Sequence, residues 1–270
     1  MAQYHAEARA VATVTCTSAE RRHIVGLMIV LFTDFGPAGP YTGQVMAVLQ
    51  QTAPDAAAIS LFADAPAGQP KPSAYLLAAY AAWFPAGTVF LCVVDPGVGS
   101  ERRAVIAEAS GKYFAGPDNG LFDLVLRRAE HAALWEIEWR PPVLSASFHG
   151  RDLFAPVAAR LARGEPLAKL ARPADDRAAE RSWPDDLAEI VYLDHYGNAL
   201  TGLRGTAVPA EARLYAGGRS IAPAATFSAV PQGKAFWYVN SNGLAEIAVN
   251  GGSAAAMLGL DIGNNVSIET

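Results

Sequence analysis

The stretch Met-Ile-Val-Leu-Phe-Thr-Asp-Phe-Gly at residues 28–36 decides the fold class. Its first residues form a continuous apolar run of strand length, and a polar turn follows directly. Similar apolar runs alternate with stretches of helical periodicity, which predicts a largely parallel sheet covered by helices on both faces. The predicted strands are Leu27–Phe32, Ala56–Phe62, Thr88–Val94 and Ala104–Ala107, and the predicted helices are Tyr41–Gln51, Ser73–Trp83 and Asp152–Ala162.

The chain changes character after this α/β region, which we assign to residues 28–171. A polar segment rich in Pro, Asp, Arg and Ala occupies residues 172–186 and is predicted to be a domain linker. Residues 187–270 contain short strands such as Ile190–Leu193 and Ala245–Val249, separated by glycine-rich turns. This pattern predicts a small all-β domain, either a sandwich or a barrel.

The first 27 residues differ in composition from the rest. They mix Ala, Thr, Glu and Arg, and they lack an apolar core long enough for a signal peptide. We therefore predict that residues 1–27 are a dispensable tail, and hypothesise that Met28 is the natural start.

Composition excludes several classes of function. Of the 270 residues 51% are hydrophobic and the formal net charge is −5, without a basic block, so a nucleic-acid partner is not expected. No apolar run is long enough to span a bilayer, and the cytoplasm is the expected location. Cys16 and Cys92 lie far apart, and Cys92 is predicted to be a buried free thiol. No spacing of Cys and His suggests a metal site.

The polar turn after the first strand contains Asp34. Ligands of parallel sheets bind beyond the carboxyl ends of the strands, and a carboxylate there can accept two hydrogen bonds from a ribose diol. The alternative is that Asp34 only caps the turn that follows it.

A second loop, Val94–Arg102, follows the predicted strand Thr88–Val94. Two glycines and a proline make it tight, so its backbone can approach a ligand closely. It lacks the Gly-Lys-Ser/Thr of a phosphate loop and the GxGxxG fingerprint of dinucleotide folds, so neither nucleotide cofactor is expected. Arg102 returns near Asp95, where the two form either part of a site or a structural ion pair.

A third polar turn, Phe148–Asp152, precedes a predicted helix. Its histidine, His149, is flanked by glycine. A lone histidine is more often structural than catalytic, but one beside an Asp and an Arg suits proton transfer near neutral pH.

Two turns in the second half carry polar side chains. They are Asp194–Asn198 and Asn240–Gly243, and their Asp, Asn and Ser residues could hold the ammonium and carboxylate of an amino acid. Each is also compatible with an ordinary β-turn.

Six motifs in this order resemble one family closely, the S-adenosyl-L-methionine hydroxide adenosyltransferases, relatives of the adenosyl-fluoride and adenosyl-chloride synthases. The resemblance covers residues 28–270. It implies a Rossmann-like N-terminal domain, a small β-barrel C-terminal domain, and a homotrimer with the substrate between subunits. The motifs are Thr33–Gly36, Val94–Gly99, Pro117–Gly120, Phe148–Asp152, Asp194–Asn198 and Glu246–Gly252.

The resemblance also implies an activity, the hydrolysis of S-adenosyl-L-methionine to adenosine and L-methionine, without a cofactor or a metal. Asp95, Arg102 and His149 match the three residues that activate water in the family. We weigh two alternatives: a halide-using adenosyl transferase, in which the positions of Asp95 and His149 differ, and a non-catalytic binder of adenosyl compounds.

Further positions match substrate contacts of the family. Asp34 matches the carboxylate that binds the ribose diol, and Phe227 matches an aromatic residue that packs on adenine. The backbones of Val249 and Gly251 match those that contact the adenine edge. The methionine end is matched by Asp194, Asn198, Ser241 and Asn242.

The chain departs from the family at two places. Ser60-Leu61-Phe62-Ala63 stands where the family commonly has Asp-x-x-His, and Gly68 or Gln69 stands where a Trp or Gln often forms part of the substrate wall. Both changes affect the expected substrate contacts and leave the three water-activating positions intact.

Overall fold

The structure, a computed structural model, describes residues 28–175 and 183–269. The predicted N-terminal tail, Cys16 and the middle of the predicted linker lie outside the described residues. The described residues of the N-terminal part form seven strands and four α-helices: β1 (Met28–Thr33), α1 (Tyr41–Thr52), β2 (Ala57–Phe62), α2 (Pro70–Ala81), β3 (Val89–Val93), β4 (Ala104–Ala109), β5 (Lys112–Pro117), α3 (Asp123–Arg127), β6 (Ala132–Ile137), α4 (Ala155–Ala162) and β7 (Ala171–Ala174).

The seven strands form one sheet in the order β2-β1-β3-β5-β4-β6-β7. Neighbours among β2, β1, β3 and β5 are parallel, whereas β4 pairs antiparallel with β5 and β6, and β7 pairs antiparallel with β6. Ser110 and Gly111, with φ of 50° and 71°, join β4 to β5. Positive φ at both positions of a two-residue loop is the geometry of a tight hairpin, and it turns β5 back antiparallel to β4.

Helices cover both faces of this sheet, which confirms the α/β class. On one face, α2 and α3 pack against residues such as Phe32, Phe90 and Phe114. On the other face, α1 and α4 cover Leu31 and Leu91. Successive strand residues are buried on opposite faces, so the strands appear in the sequence as continuous apolar runs. Cys92 is fully buried in β3, as predicted.

The predicted linker is shorter than expected at its N-terminal end. Residues 171–174 form β7, in which Arg172 lies opposite Glu136 of β6. At the other end, the backbone of Asp185 accepts a hydrogen bond from Arg128 at 2.7 Å, and Asp186 forms an ion pair with Arg204 at 2.6 Å. The described charged residues of the predicted linker therefore contact both the N-terminal and the C-terminal part of the chain.

The C-terminal part is built of antiparallel sheets, but the predicted barrel is not confirmed. One sheet has the order β12-β13-β9-β8 and the other β11-β10-β14, and no closed barrel forms from the described strands. Between the two sheets the described residues form isolated bridges, Glu189 with Asn265 and Pro223 with Trp237, rather than continuous ladders. The elements are β8 (Leu187–Leu193), β9 (Ala199–Arg204), β10 (Arg213–Ala216), β11 (Arg219–Ile221), β12 (Ala235–Val239), β13 (Leu244–Val249), α5 (Ala254–Leu258) and β14 (Ser267–Glu269).

Among the described helices, none is long and apolar enough to cross a membrane.

Candidate active site

Two carboxylates lie at the carboxyl ends of adjacent parallel strands. Thr33 of β1 is in register with Val93 of β3, and the backbone N–H of Asp34 donates to the Val93 carbonyl at 3.2 Å. The Asp34 carboxylate accepts the backbone N–H of Gly68 at 2.8 Å. Burial raises the pKa of Asp34, and the negative charge of Asp95 raises it further. Asp34 and Asp95 thus belong to one electrostatic environment, where the sheet rule places a ligand.

Asp95, Arg102 and His149 form one cluster. The Arg102 guanidinium binds both oxygens of the Asp95 carboxylate, with Nε donating to Oδ1 at 2.8 Å and Nη2 donating to Oδ2. The same Nη2 lies 3.3 Å from Nδ1 of His149. The Asp95 side chain is only 3% exposed, so this bidentate pair supplies the counter-charge that a buried carboxylate needs.

The contact with Arg102 determines how the His149 ring is protonated. A guanidinium only donates hydrogen bonds, so Nδ1 of His149 must accept, and the neutral ring then carries its proton on Nε2. Burial lowers the pKa of His149, and the charge of Arg102 lowers it further, against the opposing charges of Asp95 and Asp152. The cluster therefore contains a neutral imidazole beside a carboxylate that is paired with a guanidinium.

Local backbone geometry brings the three residues together. Gly99, with φ of +80°, packs so closely on the segment before His149 that a Cβ there would lie 2.6 Å from the Ala146 carbonyl oxygen. A turn of π-helix, Gly150–Phe154, follows His149 and leads into α4. The Arg102 guanidinium packs over the Phe154 ring, with its Cζ 5.3 Å from the ring centroid. Of the two glycines recognised in the tight loop, Gly99 is therefore required by this close packing.

The C-terminal part contains a cavity of about 850 Å³. All seven C-terminal residues predicted to bind substrate line it, although they come from four separate segments of the sequence. They are Asp194, Asn198, Phe227, Ser241, Asn242, Val249 and Gly251. The cavity has the size and the mixed polar and aromatic lining of a small-molecule site.

One turn fixes the two polar residues at the end of β8. The Asp194 carboxylate accepts the backbone N–H of Tyr196 and of Asn198, at 2.9 and 2.8 Å, and also the Asn198 side-chain amide at 2.9 Å. Gly197, with φ of +79°, permits the turn, because a Cβ there would lie 2.1 Å from the Ser253 hydroxyl. The carboxylate is therefore held rigidly at the cavity.

Sequence reasoning missed several residues of the same cavity, chiefly Tyr80, Tyr238 and Glu246. Glu246 is only 5% exposed, and it accepts hydrogen bonds from the Tyr238 hydroxyl at 2.6 Å and the Asn240 amide at 2.8 Å. Burial raises the pKa of Glu246, and the nearby charge of Asp194 raises it further. A single acid within the apolar run of β13 was the signal that could have identified it.

The charged side chains of the described cavity lining are all acidic. Asp194 and Glu246 are carboxylates, whereas Lys, Arg and His are absent from the described lining. Neither carboxylate forms an ion pair with a basic residue in the described part of the chain. The cavity is therefore suited to a ligand that carries positive charge.

The two groups of residues stay apart within one chain. Asp34, Asp95, Arg102 and His149 lie at the edge of the N-terminal sheet, and none of them lines the C-terminal cavity. Within the described ranges, no group of three or more His, Cys, Asp or Glu side chains could hold a metal ion. The sequence thus identified two clusters, and the structure does not join them in a single pocket.

The fold and these clusters define a class, an α/β protein with a cluster of polar and charged residues at the sheet edge and an antiparallel C-terminal part with an acidic cavity. Comparison with known families is more specific. Residues 29–171 match the SAM hydroxide adenosyltransferase N-terminal domain and residues 188–267 match the C-terminal domain of the same family. The chain belongs to the SAM hydroxide adenosyltransferase family.

Individual relatives agree with this assignment. The chain is 39% identical to an (R)-S-adenosyl-L-methionine hydrolase of Thermus thermophilus, over 89% of this chain and 98% of that protein. A solved structure of an uncharacterized conserved protein from Thermotoga maritima superposes with a TM-score of 0.82 at 30% identity, over 90% of this chain and all of that one. A fluorinase of Nocardia brasiliensis is 26% identical over 70% of this chain and 74% of its own length.

Proposed function

We propose that this protein hydrolyses S-adenosyl-L-methionine to adenosine and L-methionine. The observation that carries the proposal is the cluster of Asp95, Arg102 and His149, in which a neutral imidazole and an ionised carboxylate are held by one guanidinium. Such a cluster can position a water molecule and accept its proton.

The reaction needs an activated nucleophile, but it needs no acid to protonate the leaving group. Water attacks the 5′ carbon, a C–O bond forms, and the C–S bond breaks with its electron pair going to sulfur. The sulfonium becomes the neutral thioether of methionine, so no group has to protonate it. The difficulty is the water, whose pKa in bulk is about 15.7. Holding it in line with the C–S bond and accepting its proton are what the enzyme must contribute.

Each residue of the cluster has a separate part in this proposal. Asp95 and His149 hold the water, and Arg102 keeps Asp95 ionised and oriented. Because Nδ1 of His149 already accepts from Arg102, the released proton passes to the Asp95 carboxylate. Asp34, which lies beside Asp95, accepts the two hydroxyls of the ribose.

The acidic cavity fits the other end of the substrate. S-adenosyl-L-methionine carries a sulfonium, an ammonium and a carboxylate, so it has a net positive charge, whereas product methionine is neutral overall. In the proposed pose, Asp194 and Asn198 contact the ammonium, and Ser241 and Asn242 contact the carboxylate. Phe227 packs on adenine, and the backbones of Val249 and Gly251 contact its edge.

A composite site at a subunit interface reconciles the two clusters. We propose a homotrimer in which the sheet edge of one subunit faces the acidic cavity of the next. The separation of the clusters within one chain supports this arrangement, because a ligand in the cavity would otherwise lack the water-activating residues.

Mixing two variants that are each strongly impaired at low substrate concentration tests the assembly. His149→Ala removes the sheet-edge function, and Asp194→Ala removes the cavity function. After dissociation and reassembly of an equal mixture, roughly a quarter of the interfaces combine two intact halves, so about that share of wild-type activity should return. Mixtures that stay inactive would show that each site is built within one chain.

Products and isotopes test the reaction. Purified protein incubated with the substrate in ¹⁸O-labelled water should give adenosine that carries the label in its 5′ hydroxyl. Saturable binding without turnover would instead identify a non-catalytic binder of adenosyl compounds. Formation of a 5′-halogenated adenosine in the presence of halide would favour a halide-using transferase, a reaction for which a charged Asp95 and a nearby imidazole are poorly suited.

A further inference from the structure

Glu246 of β13 is a charged residue of the acidic cavity to which the proposed binding mode gives no role. In the antiparallel ladders it lies opposite Tyr238 of β12 on one side and opposite Leu200 of β9 on the other. Side chains directly opposite each other in such ladders share one face of the sheet, and all three of these residues line the cavity. The Glu246 side chain is therefore directed towards the cavity, although the residue is only 5% exposed.

The position of Glu246 along β13 is between the two ends of the proposed substrate. Ser241 and Asn242, proposed to contact the methionine carboxylate, precede β13, whereas Val249 and Gly251, proposed to contact adenine, lie at its other end. A strand advances about 3.3 Å per residue, so Val249 lies roughly 10 Å beyond Glu246, of the order of the length of an adenosyl group. The sulfonium joins the amino-acid end of the substrate to its nucleoside, so Glu246 faces the part of the cavity where that cation belongs.

The hydrogen bonds of Glu246 do not by themselves explain its charge. Its two carboxylate oxygens accept from the Tyr238 hydroxyl at 2.6 Å and from the Asn240 amide at 2.8 Å. The Asn240 side chain is also fixed from its other end, because its Oδ1 accepts the backbone N–H of Asn242 at 2.9 Å and of Leu244 at 3.1 Å. A neutral amide could serve these partners equally well, without the cost of removing an ionised group from water.

No positive charge of the chain balances Glu246. It forms no ion pair with Lys, Arg or His among the described residues, and the described cavity lining contains no basic side chain. Burial raises the pKa of the Tyr80 hydroxyl, and the charges of Glu246 and Asp194 raise it further. The field of both acids therefore extends to the α2 side of the cavity, where a bound cation would stabilise their ionised forms.

We propose that Glu246 is a specificity-determining residue that recognises the positive charge at the sulfur of the substrate. Asp194 binds the ammonium, which substrate and product methionine share, whereas Glu246 distinguishes the sulfonium from a neutral thioether. The inference rests on the proposed function and deepens it: the cavity favours the charged substrate and releases the product once the charge at sulfur is lost.

Two unreactive analogues separate the charge at sulfur from the rest of the ligand. S-adenosyl-L-homocysteine keeps the nucleoside and the amino acid but has a neutral thioether, and sinefungin carries an ammonium in place of the sulfonium. Calorimetric titration of the full-length protein gives both dissociation constants. The wild type should bind sinefungin about tenfold or more tightly than the thioether, because opposite charges attract more strongly in a partly buried cavity than at a surface.

Glu246→Gln is the decisive variant. Its amide oxygen can accept from Asn240 and its amide nitrogen can donate to the Tyr238 hydroxyl, since a phenol both donates and accepts, so both hydrogen bonds persist while the charge is removed. The variant should lose most of the preference for sinefungin, a roughly tenfold change in the ratio of the two dissociation constants. Glu246→Ala, which also removes the charge, should lose the same preference.

Three further variants serve as controls. Asp194→Asn should weaken both analogues by a similar factor, because both carry the ammonium that Asp194 is proposed to bind. Tyr238→Phe removes a hydrogen bond from Glu246 but keeps its charge, so the preference should remain. Glu211→Gln, at an exposed carboxylate, should leave both dissociation constants unchanged. Thermal unfolding should show that Glu246→Gln melts no lower than the wild type, since it removes a buried charge without a basic partner.

The outcomes separate this inference from the proposed function. A wild type that hydrolyses S-adenosyl-L-methionine while the ratio stays unchanged in Glu246→Gln would overturn the inference alone. Equal weakening of both analogues in that variant, or equal binding of both by the wild type, would also overturn it. A wild type that fails to hydrolyse the substrate, but whose preference for sinefungin disappears in Glu246→Gln, would support the charge recognition and contradict the proposed reaction.

Discussion

The carboxylates at the sheet edge of the N-terminal part and in the cavity of the C-terminal part differ in whether a basic side chain balances their charge. At the sheet edge, the Asp95 carboxylate is neutralised within the chain by Arg102. In the cavity, Asp194 and Glu246 accept hydrogen bonds only from neutral donors, and no basic side chain of the described lining balances them.

In the proposed function, this difference separates the residues that carry the chemistry from those that recognise the substrate. A carboxylate paired with arginine keeps its charge and its orientation before any ligand arrives, as a group that positions water must. An unbalanced carboxylate in a partly buried cavity is most stable when a cation binds, as a recognition group should be. Mutations in the two regions should therefore affect different kinetic constants.

The largest effect is expected at the sheet edge. His149→Ala, Asp95→Ala and Arg102→Ala should each lower kcat by about two to four orders of magnitude, the usual loss when proton transfer from a positioned water is disrupted, with little change in KM. Arg103→Ala is the matched control for Arg102→Ala, because Arg103 is the next residue and forms a separate ion pair with Asp118. Steady-state kinetics at saturating substrate give the measurement.

Combining these substitutions sharpens the test. Residues that act as one unit lose most of their effect with the first removal, so the double variant of Asp95 and His149 should be little slower than either single variant. If His149→Ala turned over at the wild-type rate, the proposed role of the cluster would be wrong.

A smaller effect is expected in the cavity. Asp194→Asn keeps the turn that includes Asn198 but removes the charge, and should raise KM for the cationic substrate roughly 10- to 100-fold, the equivalent of about 1.5–3 kcal/mol for a charged hydrogen bond. The change in kcat should be minor. Glu211→Gln, an exposed carboxylate elsewhere in the C-terminal part, is the matched control.

Adenosine provides the contrast for this variant. It lacks the ammonium that Asp194 is proposed to bind, so its inhibition constant should be the same for Asp194→Asn and the wild type. Equal loss of affinity for adenosine and for the substrate would mean that the substitution damages the whole cavity.

A third effect depends on pH. The imidazolium form of His149 would place a second proton donor against Arg102, so the neutral ring is the active form. Because the pKa of His149 is lowered from its ordinary value of 6.5, kcat should be flat above that pH and fall about tenfold per unit only below the lowered pKa. His131→Gln, at an exposed histidine, should leave the profile unchanged. A decline that begins above pH 6.5 would contradict this assignment.

The sequence predicted the sheet-edge residues better than it predicted the architecture around them. Asp34, Asp95 and His149 follow predicted elements or precede a predicted helix, where chain direction alone places them at the ligand-binding edge. Glu246 was missed because its neighbours in β13 are apolar, so the whole segment was interpreted as an ordinary buried strand. The separation of the two clusters does not follow from local sequence patterns, because it depends on how the halves of the chain pack, and only the family resemblance implied it.

Two features of the fold also could not be predicted from local sequence patterns. The Ser110-Gly111 hairpin reverses β4 against β5, but neither residue distinguishes a hairpin from another turn without its φ values. Short antiparallel strands in the second half are equally compatible with open sheets and with a barrel. Closure is decided by pairing between strands distant in the sequence, which local patterns do not specify.

The smallest effect is expected at the N-terminus, because both regions are assembled from residues after Met28. Ile29, Val30 and Leu31 of β1 are fully buried, and β1 is held between β2 and β3, so the strand that positions Asp34 has its partners within residues 28–93. A chain that begins at Met28 should therefore match the full chain in its thermal midpoint, in kcat and in KM. Parallel melting curves and kinetics of the two chains provide the measurement. A lower melting temperature with intact kinetics would show that the first 27 residues support the fold. A raised KM at an unchanged melting temperature would show that they reach the cavity, and would end the simple division into one region for chemistry and one for recognition.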